Sequence, residues 1–359
     1  MNRIEELTAR AVALLKDLIE IPSFSGQEHQ TAALLAAWLE REGIAVQRRG
    51  NNVYAFNRDF REGKPLLLLN SHHDTVRPNT AYTRDPFQAA VEDGKLYGLG
   101  SNDAGGALVS LMACFAYWHP KQDLSHNLVL VASAEEENSG PNGLNSMLEA
   151  LPPIDVAIVG EPTLLDLAIA EKGLVIFDAE VAGTPSHAAH PNDNNALYNT
   201  IPVLEWFRAF RFPKVSEVLG EVKLTVTQIN AGTQHNVVPA KVDLVIDVRV
   251  NDCYSNREIE EILTAQAPCK LKARSLRLNS SRISPDHPLV LAGIQLGRST
   301  YGSPTLSDQA ALSCPSLKLG PGDSRRSHSA DEFIYLEEIE QGIGLYIAIL
   351  EQLLTGGPR

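Results

Sequence analysis

The feature that most constrains the fold is a set of short, continuously apolar runs that alternate with helical stretches. The runs are LLLL at 66–69, NLVLVAS at 127–133 and DVAIVG at 155–160. Helical patterns flank them at 2–20, 27–42, 104–118 and 141–150. Continuous apolar runs between helices are typical of parallel strands that are buried on both faces. We therefore predict an α/β fold with a parallel-rich sheet and helices on both faces.

The middle of the chain has a different pattern, because apolar and polar residues alternate there. This alternation marks GLVIFDAEVAG (173–183), EVKLTVTQI (221–229) and KVDLVIDVRV (241–250). A period of two predicts a sheet that is covered on one side only. Helical patterns at 195–208 and 255–265 complete a small α+β unit.

After about residue 285 the first pattern returns, with a helix at 288–299, a strand at 316–320 and a closing helix near 335–354. We predict a discontinuous α/β domain made of residues 1–173 plus 285–359, interrupted by an inserted α+β (two-layer) domain at 174–284.

Charge and composition exclude several kinds of partner. The net charge of -13 argues against a nucleic-acid ligand, which needs a basic surface. No apolar run approaches the roughly 20 residues that span a bilayer, so we expect no membrane partner. The amphipathic start of the chain has neither the apolar core nor the cleavage site of a signal peptide. The four cysteines are scattered without ligand spacing, which predicts a reducing, cytoplasmic setting.

Polar residues that suit metal chemistry follow the apolar runs. His72 and Asp74 follow the first run, three glutamates follow the second, Glu161 follows the third and His328 lies in the loop after SLKLG. Open parallel sheets bind ligands beyond the carboxyl ends of their strands. Histidines with carboxylates and no cysteine match a divalent, zinc-type site. The surplus of carboxylates suggests two ions bridged by an aspartate, with one glutamate left as general base.

Each motif alone also has a simpler interpretation. A histidine after a strand is usually a capping or core residue, and an EEE run is normally a solvated acidic segment. Asp103, which precedes AGGALVSLMACFAYW, would serve well as a helix N-cap. The glycine-rich GLGSNDAGG lacks the spacing of a phosphate-binding loop. The metal-site prediction therefore depends on the conjunction of motifs.

The ordered motifs resemble those of one enzyme family across nearly the whole chain. They are SHHDTV, GLGSNDAGG, AEEENSG, VGEPT, GTPSHAAHP, NAGTQHNVVPA, DLVIDVR and GPGDSRRSHSADE. The chain is similar to the dinuclear-zinc deacylases and carboxypeptidases, which include aminoacylase, acetylornithine deacetylase, succinyl-diaminopimelate desuccinylase and carboxypeptidase G. The resemblance implies that the α/β domain is catalytic and that the inserted domain is a lid and dimerisation domain.

The resemblance also implies a set of metal ligands. One ion would bind His72, Asp103 and Glu161, and the other would bind Asp103, Glu137 and His328. Zinc is the expected metal, with cobalt as an alternative. A cis peptide after Asp103 is expected as well.

Two further residues near the ligands receive catalytic roles by resemblance. Asp74 would hydrogen-bond the second ring nitrogen of His72 and fix its tautomer. Glu136 would be the general base, although a shift by one residue along the glutamate run stays open. His73 would point away from the metal and be replaceable.

The inserted domain would contribute three more residues. His187 resembles the histidine that stabilises the oxyanion, usually in the partner subunit's site of a homodimer. The alternative is a histidine in a surface loop. Asn236 and Arg249 resemble residues that hold the substrate carboxylate. The alternative for Arg249 is a surface salt bridge to Asp247 or Asp243.

The motifs depart from the usual family pattern at DTVRP, GLG and DAGG, but no ligand or base is lost. The segment at 304–332 most resembles the acetylornithine-deacetylase-like branch. We therefore predict hydrolysis of N2-acetyl-L-ornithine to L-ornithine and acetate, a step of arginine biosynthesis. Alternatives are an N-succinyl-ornithine or N-acetyl-citrulline deacylase, a dipeptidase or carboxypeptidase of the family, or a non-catalytic metal-binding homologue.

Overall fold

The computed structural model describes residues 3–356 and divides into two compact units. Unit 1 is drawn from Met1–Ile169, Arg282–Tyr301 and Ser307–Arg359, and unit 2 from Ala170–Ser281 and Gly302–Leu306. Among the described residues, no helix is long and apolar enough to cross a membrane.

The α-helices are α1 (Arg3–Ile19), α2 (His29–Arg41), α3 (Gly106–Trp118), α4 (Leu144–Leu148), α5 (Ala196–Ala209), α6 (Asn256–Gln266), α7 (Pro288–Gln295) and α8 (Leu336–Leu354). The strands are β1 (Gln47–Arg49), β2 (Asn52–Phe56), β3 (Leu66–His72), β4 (Ala90–Glu92), β5 (Lys95–Tyr97), β6 (Asn127–Ser133), β7 (Val156–Val159), β8 (Leu167–Glu171), β9 (Gly173–Ala182), β10 (Ser186–His187), β11 (Lys223–Ala231), β12 (Val237–Val238), β13 (Lys241–Val250), β14 (Lys270–Ala273), β15 (Ser281–Arg282), β16 (Thr300–Ser303), β17 (Ser316–Lys318) and β18 (Phe333–Tyr335).

The main sheet of unit 1 runs in the order β1-β2-β6-β3-β7-β17-β8. Its centre, β6-β3-β7-β17, is parallel, whereas β2 and β8 pair with it in the antiparallel sense. The predicted α/β class with a parallel-rich sheet is confirmed. Antiparallel strands at the sides are common in large α/β sheets.

Both faces of this sheet are covered, which explains the continuous apolar runs. Leu67 and Leu69 of β3 join the core that also contains α1, α3 and α8. Leu66 and Leu68, which point the opposite way, pack with α4 on the other face. Every residue of β3 and β6 is buried. The sequences of β3 and β6 therefore show no alternation of apolar and polar residues, because neither face of the sheet is exposed to water.

Unit 2 contains an antiparallel sheet in the order β11-β13-β9-β14. The apolar residues of β13 are buried in a core with α5 and α6, whereas its alternate residues are partly exposed. Helix α6 begins with a capping box between Ser255 and Glu258. The alternating pattern of the sequence thus corresponds to a sheet with helices on one face.

Some boundaries differ from the sequence prediction. Helix α7 ends at Gln295 instead of 299, because Gly297 adopts a left-handed φ of 80° that stops the helix. Helix α4 is shorter than the predicted 141–150, since its N-cap is Gly143. Eleven strands were not predicted from the sequence: β1, β2, β8, β10, β12, β14, β15, β16 and the three strands of the small sheet β18-β5-β4.

Candidate active site

The candidate site lies at the carboxyl edge of the parallel strands of unit 1. Strand β3 ends at His72, and β6 ends just before the glutamate run at 135–137. Glu161 follows β7, and His328 lies in the loop that follows β17. Because β6, β3, β7 and β17 are parallel neighbours, their carboxyl ends meet at one edge.

Six of the predicted residues come together there. His72 Nε2 lies 3.4 Å from Asp103 Oδ1, 3.9 Å from Glu136 Oε2 and 3.8 Å from Glu161 Oε1. His328 Nε2 lies 3.0 Å from Glu137 Oε2 and 3.5 Å from Asp103 Oδ2. Asp103 thus directs one carboxylate oxygen toward each histidine.

The donor atoms of this cluster fit divalent cations. Two groups, His72–Asp103–Glu137 and His72–Glu136–Glu161, each place one ligand atom per residue within 4.8 Å of the others. Imidazole nitrogens and carboxylate oxygens are the ligands that zinc-type ions take. The carboxylates outnumber the histidines, so cations would balance the excess negative charge.

Asp103 is not a helix N-cap. Helix α3 begins at Gly106, and its N-cap, Gly105, makes no side-chain capping bond. The capping interpretation of the sequence is therefore wrong. The peptide between Asp103 and Ala104 is cis.

The orientation of His72 differs in detail from the prediction. Its Nδ1 lies 2.9 Å from the backbone carbonyl oxygen of Asp74, and 3.4 Å from the Asp74 carboxylate. The Asp74 carboxylate accepts hydrogen bonds from the backbone N–H groups of Glu136 and Glu137 (3.0 and 3.1 Å) and from the Ser25 hydroxyl (2.7 Å). Asp74 therefore fixes the glutamate loop with its side chain and the His72 tautomer chiefly with its backbone, which leaves Nε2 free for a ligand.

His73 points away from the cluster but is not an idle residue. It is buried, and its Nδ1 lies 2.9 Å from Thr31 Oγ1 while its Nε2 lies 3.0 Å from the carbonyl oxygen of Asn51. Burial lowers the pKa of His73 to about 4. The expectation that His73 is replaceable needs correction, because its removal would leave buried polar groups unpaired.

The three glutamates after β6 have different surroundings. The Glu135 carboxylate accepts hydrogen bonds from the backbone and side-chain nitrogens of Asn142. Glu136 faces His72, and Glu137 contacts His328. These contacts favour Glu136 and Glu137, rather than Glu135, for the chemistry.

The charges in the cluster shift the pKa values strongly. Burial raises the pKa of Glu136 well above its usual range, and burial together with the Asp103 charge raises that of Glu161 to about 8. The hydrogen bond to Glu137 raises the pKa of His328 to about 9. Burial alone would lower the pKa of His72, but the charge of Glu136 and the other carboxylates raises it well above normal. Without cations, the cluster therefore holds extra protons at neutral pH.

These shifts predict an opposite pH dependence for the metal-free and metal-loaded protein. The pKa values of Glu161 and His328 are both raised by folding, so their stabilising contribution is full below the unfolded values and disappears as pH rises through about 8 and 9. The Tm of the EDTA-treated protein should fall between about pH 6 and 9. Added zinc should stabilise increasingly over the same range, because fewer protons compete with it. Thermal unfolding with and without zinc measures both trends, and a metal-free Tm that rises with pH would contradict these assignments.

The three other predicted residues lie in unit 2. His187 in β10 pairs with Val237 in β12, and the backbone carbonyl of Asn236 accepts a hydrogen bond from the Ala188 N–H, so the His187 and Asn236 segments adjoin. Arg249 makes two hydrogen bonds to the Asp247 carboxylate, at 2.9 and 3.1 Å. The salt bridge that the alternative interpretation named is therefore present.

Sequence reasoning missed three buried or partly buried carboxylates that hold the site loops. Asp308 accepts a hydrogen bond of 2.5 Å from Ser133 at the end of β6, and burial raises its pKa to about 6. Glu28 accepts hydrogen bonds from the N–H groups of Gly26 and Glu135. Glu332 contacts the Asp103 loop. Their partners are mostly backbone N–H groups of distant loops, which no local pattern reveals.

The fold and the cluster together fit a metal-dependent hydrolase, and the sequence comparisons define it as one that acts on amide bonds. The sequence matches the Peptidase family M20/M25/M40 over residues 68–352, and the chain belongs to this family. It is 28% identical to an acetylornithine deacetylase of Proteus mirabilis, with 92% of this chain and 93% of that protein covered. It is 27% identical to a succinyl-diaminopimelate desuccinylase of Stenotrophomonas maltophilia, with 94% and 98% covered.

Solved structures share the fold. An M20 family metallo-carboxypeptidase from Sulfolobus solfataricus superposes with a TM-score of 0.71 at 18% identity, covering 95% of this chain and 98% of that one. A tripeptidase from Staphylococcus aureus gives a TM-score of 0.76 at 18% identity, with 96% and 98% covered. The predicted family membership is confirmed.

Proposed function

We propose that this enzyme hydrolyses an N-acyl amino acid, with N2-acetyl-L-ornithine as its substrate in arginine biosynthesis. The observation that carries the proposal is the cluster in which Asp103 lies between His72 and His328, with Glu136 beside it. All the ligand and base residues of the family pattern are present, so the non-catalytic alternative is set aside.

Two divalent ions, zinc or cobalt, would occupy the cluster. His72, Asp103 and Glu161 would hold one ion, and Asp103, Glu137 and His328 would hold the other. Bound there, the ions would polarise the amide carbonyl and make water a stronger nucleophile at neutral pH.

Glu136 moves the protons. Its carboxylate takes a proton from the attacking water and returns it to the nitrogen of the leaving amine. Asp74 supports this role, since its own carboxylate holds the backbone N–H of Glu136 at 3.0 Å.

The residues of unit 2 recognise the substrate. His187 is exposed. In a dimer, it donates a hydrogen bond to the oxyanion of the substrate that is bound in the other copy. Asn236 and Arg249 hold the α-carboxylate of the substrate. Arg249 would exchange part of its pairing with Asp247 for the substrate, which a guanidinium with five donors permits.

A substrate panel tests the proposal. The metal content of the purified protein is measured, and amine release is followed with N-acetyl-ornithine, N-acetyl-citrulline, N-succinyl-ornithine, N-succinyl-diaminopimelate and a dipeptide. The relatives include both a deacetylase and a desuccinylase at similar identity, so the acyl group needs this direct comparison. We expect bound metal and the highest kcat/KM for N-acetyl-ornithine. Preference for a succinyl substrate or a dipeptide would overturn N-acetyl-ornithine as the proposed substrate. Absence of metal would overturn the proposed mechanism.

We also propose that the chain forms a homodimer through unit 2. Strand β11 is an edge strand, exposed along much of its length, and Ile229 on it is exposed. Helix α5 exposes Leu197, Tyr198 (70%) and Ile201 (55%). Open strand edges and clustered apolar side chains are the features that a second copy would cover.

Introducing negative charge on helix α5 should dissociate the dimer. Tyr198→Glu together with Ile201→Glu would place acids in the proposed interface, so we expect a monomer by light scattering and reduced turnover if His187 acts across the dimer. Leu291→Glu is the matched control, because Leu291 is an exposed apolar residue on α7 of unit 1. A double variant that stays dimeric, or a wild type that is monomeric, would contradict the proposal.

The four cysteines, all within the described residues, are free. We infer a reducing, cytoplasmic setting from this observation together with their scattered spacing.

A further inference from the structure

The function proposed above gives no role to Glu332, a buried acid near the site. Glu332 is 1% exposed and lies four residues after His328, just before β18. Its Oε1 accepts hydrogen bonds from the backbone N–H groups of Asn102 (2.8 Å) and Asp103 (2.9 Å), and its Oε2 accepts one from Gly100 (3.0 Å). A single carboxylate therefore holds three N–H groups of the loop that presents Asp103.

This loop needs an acceptor at that point. Gly98 and Gly100 have φ values of 146° and 77°, so the backbone turns irregularly before α3, and Ser101 and Asn102 are fully buried. The N–H groups of Asn102 and Asp103 are directed to Glu332, and a buried N–H group without a partner is costly. Glu332 also accepts a bond from the Gly98 N–H through its own carbonyl oxygen.

The same contacts tie two ligand-bearing loops together. The Asn102 side chain exchanges two hydrogen bonds with the backbone of Asp323, on the other side of His328 in the sequence. The His328 segment is thus fixed to the Asp103 loop both before and after the histidine. Between these two anchors, Asp103 Oδ2 and His328 Nε2 lie 3.5 Å apart.

We propose that Glu332 is a positioning residue, which sets the Asp103 carboxylate for the shared binding of two cations. The inference rests on the proposed function, because it takes Asp103 as a metal ligand. Burial raises the pKa of Glu332 to about 8, whereas the three N–H donors favour its charged form.

Asp331 provides a matched control within the same loop. Its carboxylate accepts bonds from the backbone N–H groups of Thr83 and Arg84 and from the Thr83 hydroxyl. It therefore also accepts three hydrogen bonds, but from a segment without a proposed metal ligand. A loss that comes only from a loosened His328 loop should appear in both variants.

The test compares Glu332→Gln with Asp331→Asn. Zinc affinity is measured by competition with a chromogenic chelator, and kcat and KM are measured with the best substrate of the panel. We expect Glu332→Gln to weaken zinc binding and lower kcat by about 10–100-fold with little change in KM, and excess zinc to restore part of the activity. Asp331→Asn should keep near-normal zinc affinity even if its Tm falls.

Equal zinc affinity in wild type and Glu332→Gln would overturn the inference alone, as would an equal loss in Asp331→Asn. A wild type that binds no zinc would overturn the proposed function and the inference with it. Circular dichroism of the metal-free variants separates unfolding from loss of positioning. If Glu332→Gln does not fold, Glu332→Asp retains the charge with a shorter reach and should still show weakened zinc binding. Normal affinity in that variant would also refute the role.

Discussion

Replacing Glu136 by Gln should lower kcat by about 10²–10⁴-fold while both metal ions stay bound. Gln has almost the same shape as Glu, but its amide cannot accept the proton of the attacking water. The Glu136 side chain is only 12% exposed and faces His72 across 3.9 Å, so a base from bulk solvent has little access to replace it. Steady-state kinetics and metal analysis of the same preparation measure the two parts of the prediction.

Glu135→Gln is the control for this experiment. The Glu135 carboxylate is hydrogen-bonded to Asn142, so this variant should keep most of its activity. Near-normal turnover in Glu136→Gln would show that another residue is the base. Loss of a metal ion in that variant would show instead that Glu136 is a ligand, in agreement with its proximity to His72 and Glu161.

Removal of His72 should abolish activity and release at least one ion, whereas removal of the adjacent His73 should leave the metal in place. His72 Nε2 faces three carboxylates, but both ring nitrogens of His73 contact Thr31 and Asn51 on the other side. His73→Ala should cost about 1–3 kcal/mol of folding free energy, because buried polar groups lose their partner.

Metal analysis and thermal unfolding of His72→Ala and His73→Ala make the distinction. Each variant is the control for the other, because the two residues are neighbours in sequence and are both buried. Metal loss in His73→Ala at full stability would show that the two roles are reversed.

The sequence predicted the centre of the fold and most of the cluster for one physical reason. Parallel strands buried on both faces leave continuous apolar runs, and the first polar residues after each run must lie at the same edge. His72 and Glu161 were located in this way. Strand β2 lies beside the parallel centre but gives a weaker signal, because it begins with Asn52 and includes a half-buried Tyr54.

Hydrogen-bonding partners were harder to predict than the residues that form the cluster. The three bonds to Glu332 depend on the path of loops that are distant in sequence. The bond of His72 is local, but it goes to the backbone of Asp74 and not to the side chain that was predicted. The family resemblance pointed to the residues of the site, but it did not show which atoms their hydrogen bonds join. Asp103 shows the difference, since its context matched a helix cap although the helix begins three residues later.

The place of β17 in the sheet has a consequence for biosynthesis. This strand pairs with β7 on one side and β8 on the other, yet it is translated only after all of β9–β14. A nascent chain that has completed β8 therefore lacks the strand that pairs with both β7 and β8, and this edge of β7 is left unpaired. His328 and Glu332 follow that late strand, so the cluster can assemble only after β17 and the loop behind it have been made.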